Sequence, residues 1–205
     1  MKRYINEFLG TFCLVFTVGM AVIEPGLGAL TPLVIGLVLI VLIYAGAGIS
    51  GAHYNPAVTL AFWLRGVFRR EEIIPYILSQ LFAAIAAAYS VLYIKDGPAL
   101  QEKDLDTVLT FTVEYIFTFL LCFVILVVAT SSRTEGNRYY GMAIGMVVIT
   151  GAYFAGGISG GAFNPAVAAG FITMGTASIN HFWIYILANF LGGITAPLLF
   201  KYLDS

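Results

Sequence analysis

Apolar residues in this chain come in long unbroken runs, without the period-2 alternation of a membrane barrel strand. Six runs reach or approach the ~20 helical residues that cross a bilayer. They cover Ile5–Ile23, Thr31–Gly48, Ile73–Ile94, Val108–Thr130, Tyr139–Gly156 and His181–Tyr202. Two further apolar stretches, Asn55–Leu64 and Asn164–Thr173, are too short. Ten helical residues span only ~15 Å, about half of the hydrocarbon core. The pattern predicts an all-α integral membrane protein with six transmembrane helices plus two re-entrant half-helices.

Composition agrees with that reading. The chain is 60% hydrophobic and 10% charged, against about a quarter charged in soluble domains. Its 205 residues leave little for a soluble domain, so a single membrane domain over 1–205 is expected. Cys13 and Cys122 fall inside apolar runs and read as packed thiols rather than a disulfide pair. The first run is as long as a full span and no cleavage site is evident, which argues against a removable signal peptide. A net charge of −1 points to no nucleic-acid partner. In a six-span arrangement Lys2, Arg3, Arg65, Arg69, Arg70, Arg133, Arg138 and Lys201 share one side, 8 of the 10 basic residues. The other two, Lys95 and Lys103, sit in a loop with Asp96, Glu102, Asp104 and Asp106. The positive-inside rule then puts both termini in the cytoplasm of a cell (plasma or inner) membrane.

An internal repeat organises the chain. "GISGAHYNPAVTLAFWLRG" from Gly48 matches "GISGGAFNPAVAAGFITMG" from Gly157 at 10 of 19 positions, at an offset of 109. The same offset aligns "YILSQLFAAIAA" from Tyr76 with "YILANFLGGITA" from Tyr185, and Glu7 pairs with Glu114 at an offset of 107. Repeat 1 covers about 1–97 and repeat 2 about 107–205. Each holds three spans and a half-span. Three is odd, so the second half enters the membrane inverted, and such repeats place a functional site at the midplane where broken helices meet.

In both half-spans a Gly-rich stretch leads to Asn-Pro and then to a helical run. Pro suits the first helical position, and the Asn oxygen before it caps the first turn. The Asn NH2 is thereby left pointing into the space beyond. Two half-helices from opposite faces meet N-terminus to N-terminus, each carrying about half a positive charge. The approach segments, Gly46–Tyr54 and Ala155–Phe163, are expected to be non-helical backbone at membrane depth, tolerated only in packed protein or along a water-filled cavity. Their carbonyls would lead as acceptors to two Asn donors, which suits small neutral hydrogen-bonding solutes and disfavours cations. Glu7 and Glu114, costly in apolar spans, read either as a proton relay or as braces receiving backbone N–H groups from a re-entrant loop; their matched placement favours bracing. No Ser/His/Asp set, metal-ligand cluster or HExxH motif appears, so neither an enzyme, a metal nor a cofactor is expected.

These residues resemble the aquaporin and aquaglyceroporin (major intrinsic protein) family. The likeness runs through "NEFLGT" at Asn6–Thr11, "SGAHYNPAVT" at Ser50–Thr59, the Glu114 span and "SGGAFNPAV" at Ser159–Val167. The resemblance implies the aquaporin-like fold with inverted three-helix repeats, a homotetramer with one pore per subunit, and passive diffusion of water or small uncharged solutes through the bilayer. It carries over the two NPA boxes, Asn55, Pro56, Ala57 and Asn164, Pro165, Ala166, as the pore constriction. Counting from those boxes implies an outer selectivity filter of Ile35, Ala152, Gly161 and Val167. Family members usually carry arginine where this chain has Val167.

That departure decides the expected substrate range. Losing a guanidinium removes a hydrogen-bond donor, bulk and an electrostatic barrier to cations. The expectation is a wide, uncharged filter that passes solutes beyond water: glycerol, urea, ammonia or neutral metalloid hydroxides such as arsenite. Asp does not follow the filter position either, since Ala168 stands there, so glycerol is not favoured over the others. The alternatives are a water-selective channel despite the missing arginine and, further off, an ion-coupled secondary transporter, which would need a driving-ion site. His53 reads as packing or possible pore lining, with a pH gate as the other option. His181 reads as interfacial, and Trp63, Tyr139, Tyr140 and Trp183 as interface anchors.

Overall fold

The structure is a computed structural model and describes residues 1–97 and 105–204. The loop charges Glu102, Lys103 and Asp104 lie outside the described residues. Among the described residues eight α-helices follow one another: α1 Lys2–Val22, α2 Thr31–Ser50, α3 Pro56–Arg65, α4 Ile73–Ile94, α5 Thr107–Thr130, α6 Tyr140–Ala155, α7 Pro165–Met174 and α8 Phe182–Leu203. No strand occurs among the described residues. Among the described residues five helices are long and apolar enough to span a membrane, α1, α2, α4, α5 and α8. The sixth expected span, α6, has only 16 residues, ~24 Å of helix. It gives way to turns at Gly156–Ser159, where the backbone N–H groups of Ile158 and Ser159 both donate to Ala155 O.

The polar ties at the chain's ends show which termini share a side. Arg3 pairs with Glu72 at 3.2 Å, Arg65 pairs with Asp204 at 3.5 Å, and Ser131 donates to Asp204 at 2.6 Å. The N-terminus, the α3–α4 connection, the α5–α6 loop and the C-terminus therefore meet at one end. Lys95 donates to Pro25 O at 2.6 Å, and Tyr153 to Ala29 O at 3.1 Å, at the other end. Both half-helices start in the interior and run to opposite ends, α3 to Arg65 and α7 to Gly175.

α1 packs on α4 and α5 on α8, while each half-helix packs on the last helix of the other half, α3 on α8 and α7 on α4. α2 and α6 cross at two glycines: a Cβ on Gly36 would sit 2.8 Å from Gly145 O, and one on Gly145 would sit 2.8 Å from Gly36 O. These residues are 109 apart, so the close crossing lies where the two halves are related. Small residues permit such backbone contact in membranes, where packing rather than hydrophobic exclusion holds helices together. α1 buries Glu7, Gly10, Thr11, Leu14, Val15 and Val18, a helical stripe turned to the protein. Cys122 is buried as expected, whereas Cys13 is exposed on α1 and not packed.

Candidate functional site

The two Asn-Pro turns meet in the middle of the molecule. Asn55 caps α3, with Oδ1 accepting from Ala57 N at 2.8 Å and Val58 N at 3.4 Å; Asn164 caps α7, with Oδ1 accepting from Ala166 N at 2.9 Å. Because each oxygen faces backbone donors, the orientation of both amides is fixed. The NH2 groups are not left wholly to the space beyond, as the sequence suggested. Asn55 Nδ2 donates to Phe163 O at 2.9 Å and Asn164 Nδ2 donates to Tyr54 O at 2.8 Å. Each amide therefore spends one hydrogen on the backbone of the other half and keeps one.

The backbone leading to each turn repeats the same unusual dihedrals. Gly51 (φ +88°), Ala52 (+52°) and Tyr54 (+48°) in the first half correspond to Gly160 (+88°), Gly161 (+71°) and Phe163 (+48°) in the second. A left-handed conformation costs a non-glycine residue roughly 1–2 kcal/mol, and such strain marks functional segments. The first approach is shorter than expected. α2 continues through Ser50, so Gly46–Ser50 are helical and only Gly51–Tyr54 are open backbone. Among the described residues no hydrogen bond reaches the carbonyls of Gly51, Ala52 and His53 or of Gly160, Gly161 and Ala162. All but Gly160 line a cavity of about 670 Å³ that also includes Asn55, Asn164, Val58 and Val167. Free acceptors thus stand beside the two remaining Asn hydrogens.

Glu7 and Glu114 hold these segments. Glu7 accepts from Ser50 Oγ (2.6 Å), His53 N (3.0 Å), Tyr54 N (2.7 Å) and Gln80 Nε2 (2.8 Å). Glu114 accepts from Ser159 Oγ (2.6 Å), Ala162 N (2.9 Å), Phe163 N (2.7 Å) and Asn189 Nδ2 (2.9 Å). Both are fully buried with all four acceptor positions engaged. Tyr76 and Tyr185 complete the braces by donating to Ser50 O at 2.8 Å and Ser159 O at 2.5 Å. Sequence reasoning had not singled out Ser50, Tyr76, Gln80 or their partners Ser159, Tyr185 and Asn189. The signal was there: each pair is 109 apart inside the aligned stretches, polar within apolar helices.

Around the expected filter a second cavity of about 410 Å³ approaches the first from the opposite end. Gly161 and Val167 line the inner cavity, Ala152 lines the outer one, and Ile35 lines both. The four residues thus cluster where the two spaces adjoin. Ala152 lies beside the loop: a Cβ added to Gly161 would come to 3.4 Å, van der Waals contact, from Ala152 Cα. Val167, in the first turn of α7, is 4% exposed. Among the described residues lining either cavity the formal charges are Glu135 at the inner mouth and Glu24 at the outer.

His53 lines the inner cavity, stacked on Phe62 at 4.4 Å and flanked by Phe68 and Tyr76. Its Nδ1 lies 3.1 Å from Thr59 Oγ1, whose own hydrogen goes to Asn55 O. Nδ1 is therefore the donor. Trp63 and Tyr140 are half-buried, as is His181 at the start of α8, and Tyr139 and Trp183 are exposed near helix ends. Among the described residues no group of three His, Cys, Asp or Glu side chains is placed to hold a metal ion.

Known proteins show the same architecture and sequence pattern. A model of the family described as "Major intrinsic protein" matches residues 1–200. Over 216 residues the chain is 35% identical to "Glycerol uptake facilitator protein-like 6" of Lactiplantibacillus plantarum, covering 100% of this chain and 99% of that protein. It is 33% identical over 230 residues to "Aquaporin NIP3-1" of Arabidopsis thaliana, covering 100% of this chain and 68% of the relative. The X-ray structure of the aquaglyceroporin from Plasmodium falciparum superimposes with a TM-score of 0.82 at 24% identity, covering 98% of this chain and 95% of that one.

Proposed function

The chain belongs to the major intrinsic protein family and is a membrane channel for water and small solutes, not an enzyme, and from that premise we propose a pore whose wide, uncharged outer filter passes uncharged solutes larger than water. The observation that carries this is Val167. It lines the inner cavity beside the Asn pair, at the junction with the outer cavity, and the described walls bring no cation to replace a filter arginine. Without a guanidinium the junction is wider and lacks a fixed positive barrier. The solute class is small and neutral: glycerol, urea, ammonia or a metalloid hydroxide such as arsenite. The name of the bacterial relative, matched over nearly its whole length, supports the glycerol-like end of that class.

In this reading Asn55 and Asn164, each with one hydrogen facing the cavity, are the mid-pore donors, and Pro56, Ala57, Pro165 and Ala166 build the turns that present them. Ile35, Ala152, Gly161 and Val167 form the filter. Glu7 and Glu114 brace the re-entrant loops, and His53 lines the inner half. Residues 1–205 act as one membrane domain of two inverted repeats, about 1–97 and 107–205. The basic end, with both termini, faces the cytoplasm of the cell membrane, and four copies assemble, each with its own pore. Swelling of proteoliposomes in gradients of glycerol, urea and arsenite tests the reading. Uptake of at least one of these above protein-free vesicles is expected; exclusion of all three alongside rapid water flux refutes the wide filter.

A further inference from the structure

The two re-entrant loops are alike in backbone and unlike in how their aromatic residue is held. Tyr54 and Phe163 each precede an Asn-Pro turn at φ +48°, each donates its N–H to a buried glutamate, and each offers its carbonyl to the asparagine of the other half. The Phe163 ring rests on Phe117 with centroids 5.2 Å apart and carries no polar tie. Both rings fill slots cleared by glycine, Phe163 against Gly151 of α6, where a Cβ would lie 2.7 Å from the ring, and Tyr54 against two helices: a Cβ on Gly10 of α1 would fall inside its ring, and one on Gly46 of α2 would collide with its hydroxyl. That hydroxyl donates to Leu42 O on α2 at 3.2 Å and accepts from Asn6 Nδ2 on α1 at 3.1 Å. Asn6 also donates to Ser50 Oγ at 2.7 Å. The position matching Asn6 in the second half, at the offset that relates Glu7 to Glu114, is Val113.

We infer that Tyr54 is a positioning residue: a strut from α1 and α2 to the pore midpoint that fixes the carbonyl anchoring Asn164 and so aims that asparagine's free hydrogen into the cavity. Its ring and hydroxyl are tied at one end to two spanning helices. Its carbonyl holds one Asn164 hydrogen at the other, and the second hydrogen has no freedom to turn away while the first is held. Asn55 leans on Phe163, which lacks the hydroxyl tie. The pore therefore has one stiff donor and one softer donor, and the stiff one discriminates among solutes by their hydrogen-bonding geometry. The inference rests on the reading of Asn164 as a mid-pore donor.

Tyr54→Phe removes the hydroxyl ties and keeps the ring, and Phe163 shows that a phenyl ring is accommodated at this turn. Asn6→Val installs the residue of the second half. The measurement is the ratio of glycerol or urea permeability to water permeability in proteoliposomes for the wild type, each single variant and the double variant. Loss of part of one neutral hydrogen bond at the constriction lowers the ratio about threefold in each single variant. The double variant falls by less than the product of the two single effects, because Tyr54→Phe already removes the bond that Asn6→Val cuts. An unchanged ratio with only a lower unfolding temperature makes Tyr54 merely structural and overturns the strut, as do fully additive effects. If the wild type passes water alone, the wide-filter reading has failed by itself, and the strut is then read from water. The activation energy of water flux rises in Tyr54→Phe; an unchanged activation energy overturns the strut.

Discussion

Replacing each brace glutamate by glutamine separates two sites that look alike by burial. In either variant one oxygen becomes an NH2 that faces donors. At Glu114 both orientations have a way out. Asn189 Oδ1 has no partner, so that side chain can flip and accept from the new amide. Ser159 can swing its hydrogen to Ala155 O, already 3.4 Å away, and accept instead. One backbone N–H, of Phe163 or Ala162, still loses a bond to a charged acceptor, about 1.5–3 kcal/mol. At Glu7 one exit is closed and the other costs a bond, although Gln80 Oε1 is as unpartnered as Asn189 Oδ1. Gln80 Nε2 also donates to Thr59 at 3.1 Å, so flipping it breaks that bond. Ser50 Oγ already accepts from Asn6 at 2.7 Å and Ala52 N at 3.1 Å, leaving no lone pair. Glu7→Gln therefore loses the same charged bond plus roughly one neutral hydrogen bond, about 1 kcal/mol more. Thermal unfolding in detergent, followed by the fluorescence of Trp63 and Trp183, reads the order directly. The expected ranking is wild type, then Glu114→Gln, then Glu7→Gln, the last pair separated by about 2–4 °C. Glu114→Gln unfolding at or below the temperature of Glu7→Gln refutes the reasoning.

Two further perturbations follow from the same contacts. Gly10→Ala puts a methyl inside the Tyr54 ring and costs about 1–3 kcal/mol of overpacking, visible as a lower unfolding temperature; a wild-type value would show that the slot is not tight. Asp204→Asn weakens a partly exposed pair, with side chains 26% and 16% accessible, so stability moves by no more than about 1 kcal/mol. Solute flux stays at the wild-type level in that variant, as a flux assay would show.

Much of the architecture was legible because local chemistry and periodicity agreed. Asn before Pro places the start of both half-helices within a residue, and the repeat's offset follows from pairs such as Asn55 and Asn164. Helix ends were harder. Gly46–Tyr54 are expected as open approach backbone, yet α2 runs on through Ser50, with Gly46 clearing the Tyr54 hydroxyl, and the chain turns at Gly51, at φ +88°. The crossed bonds from each Asn to the other half were invisible, since they depend on how the halves dock. Gln80 and Asn189 were missed for a related reason: an isolated polar residue in an apolar helix does not say which buried carboxylate it serves, although the offset pairs the two. Cys13 shows the limit of the apolar pattern, which cannot distinguish a residue facing lipid from one facing protein.

In the proposed reading the substrate range turns on Val167, and Val167→Arg tests that reading most directly. Proteoliposomes holding wild type or variant would be compared for water, glycerol and urea permeability under identical reconstitution. An arginine in the first turn of α7 adds bulk and positive charge where the two cavities adjoin. The predicted result is that the larger solutes fall at least about tenfold relative to water, roughly 1.4 kcal/mol of added barrier, while water flux is largely kept. A variant that passes glycerol and urea as the wild type does would contradict the claim that Val167 sets the width of the filter.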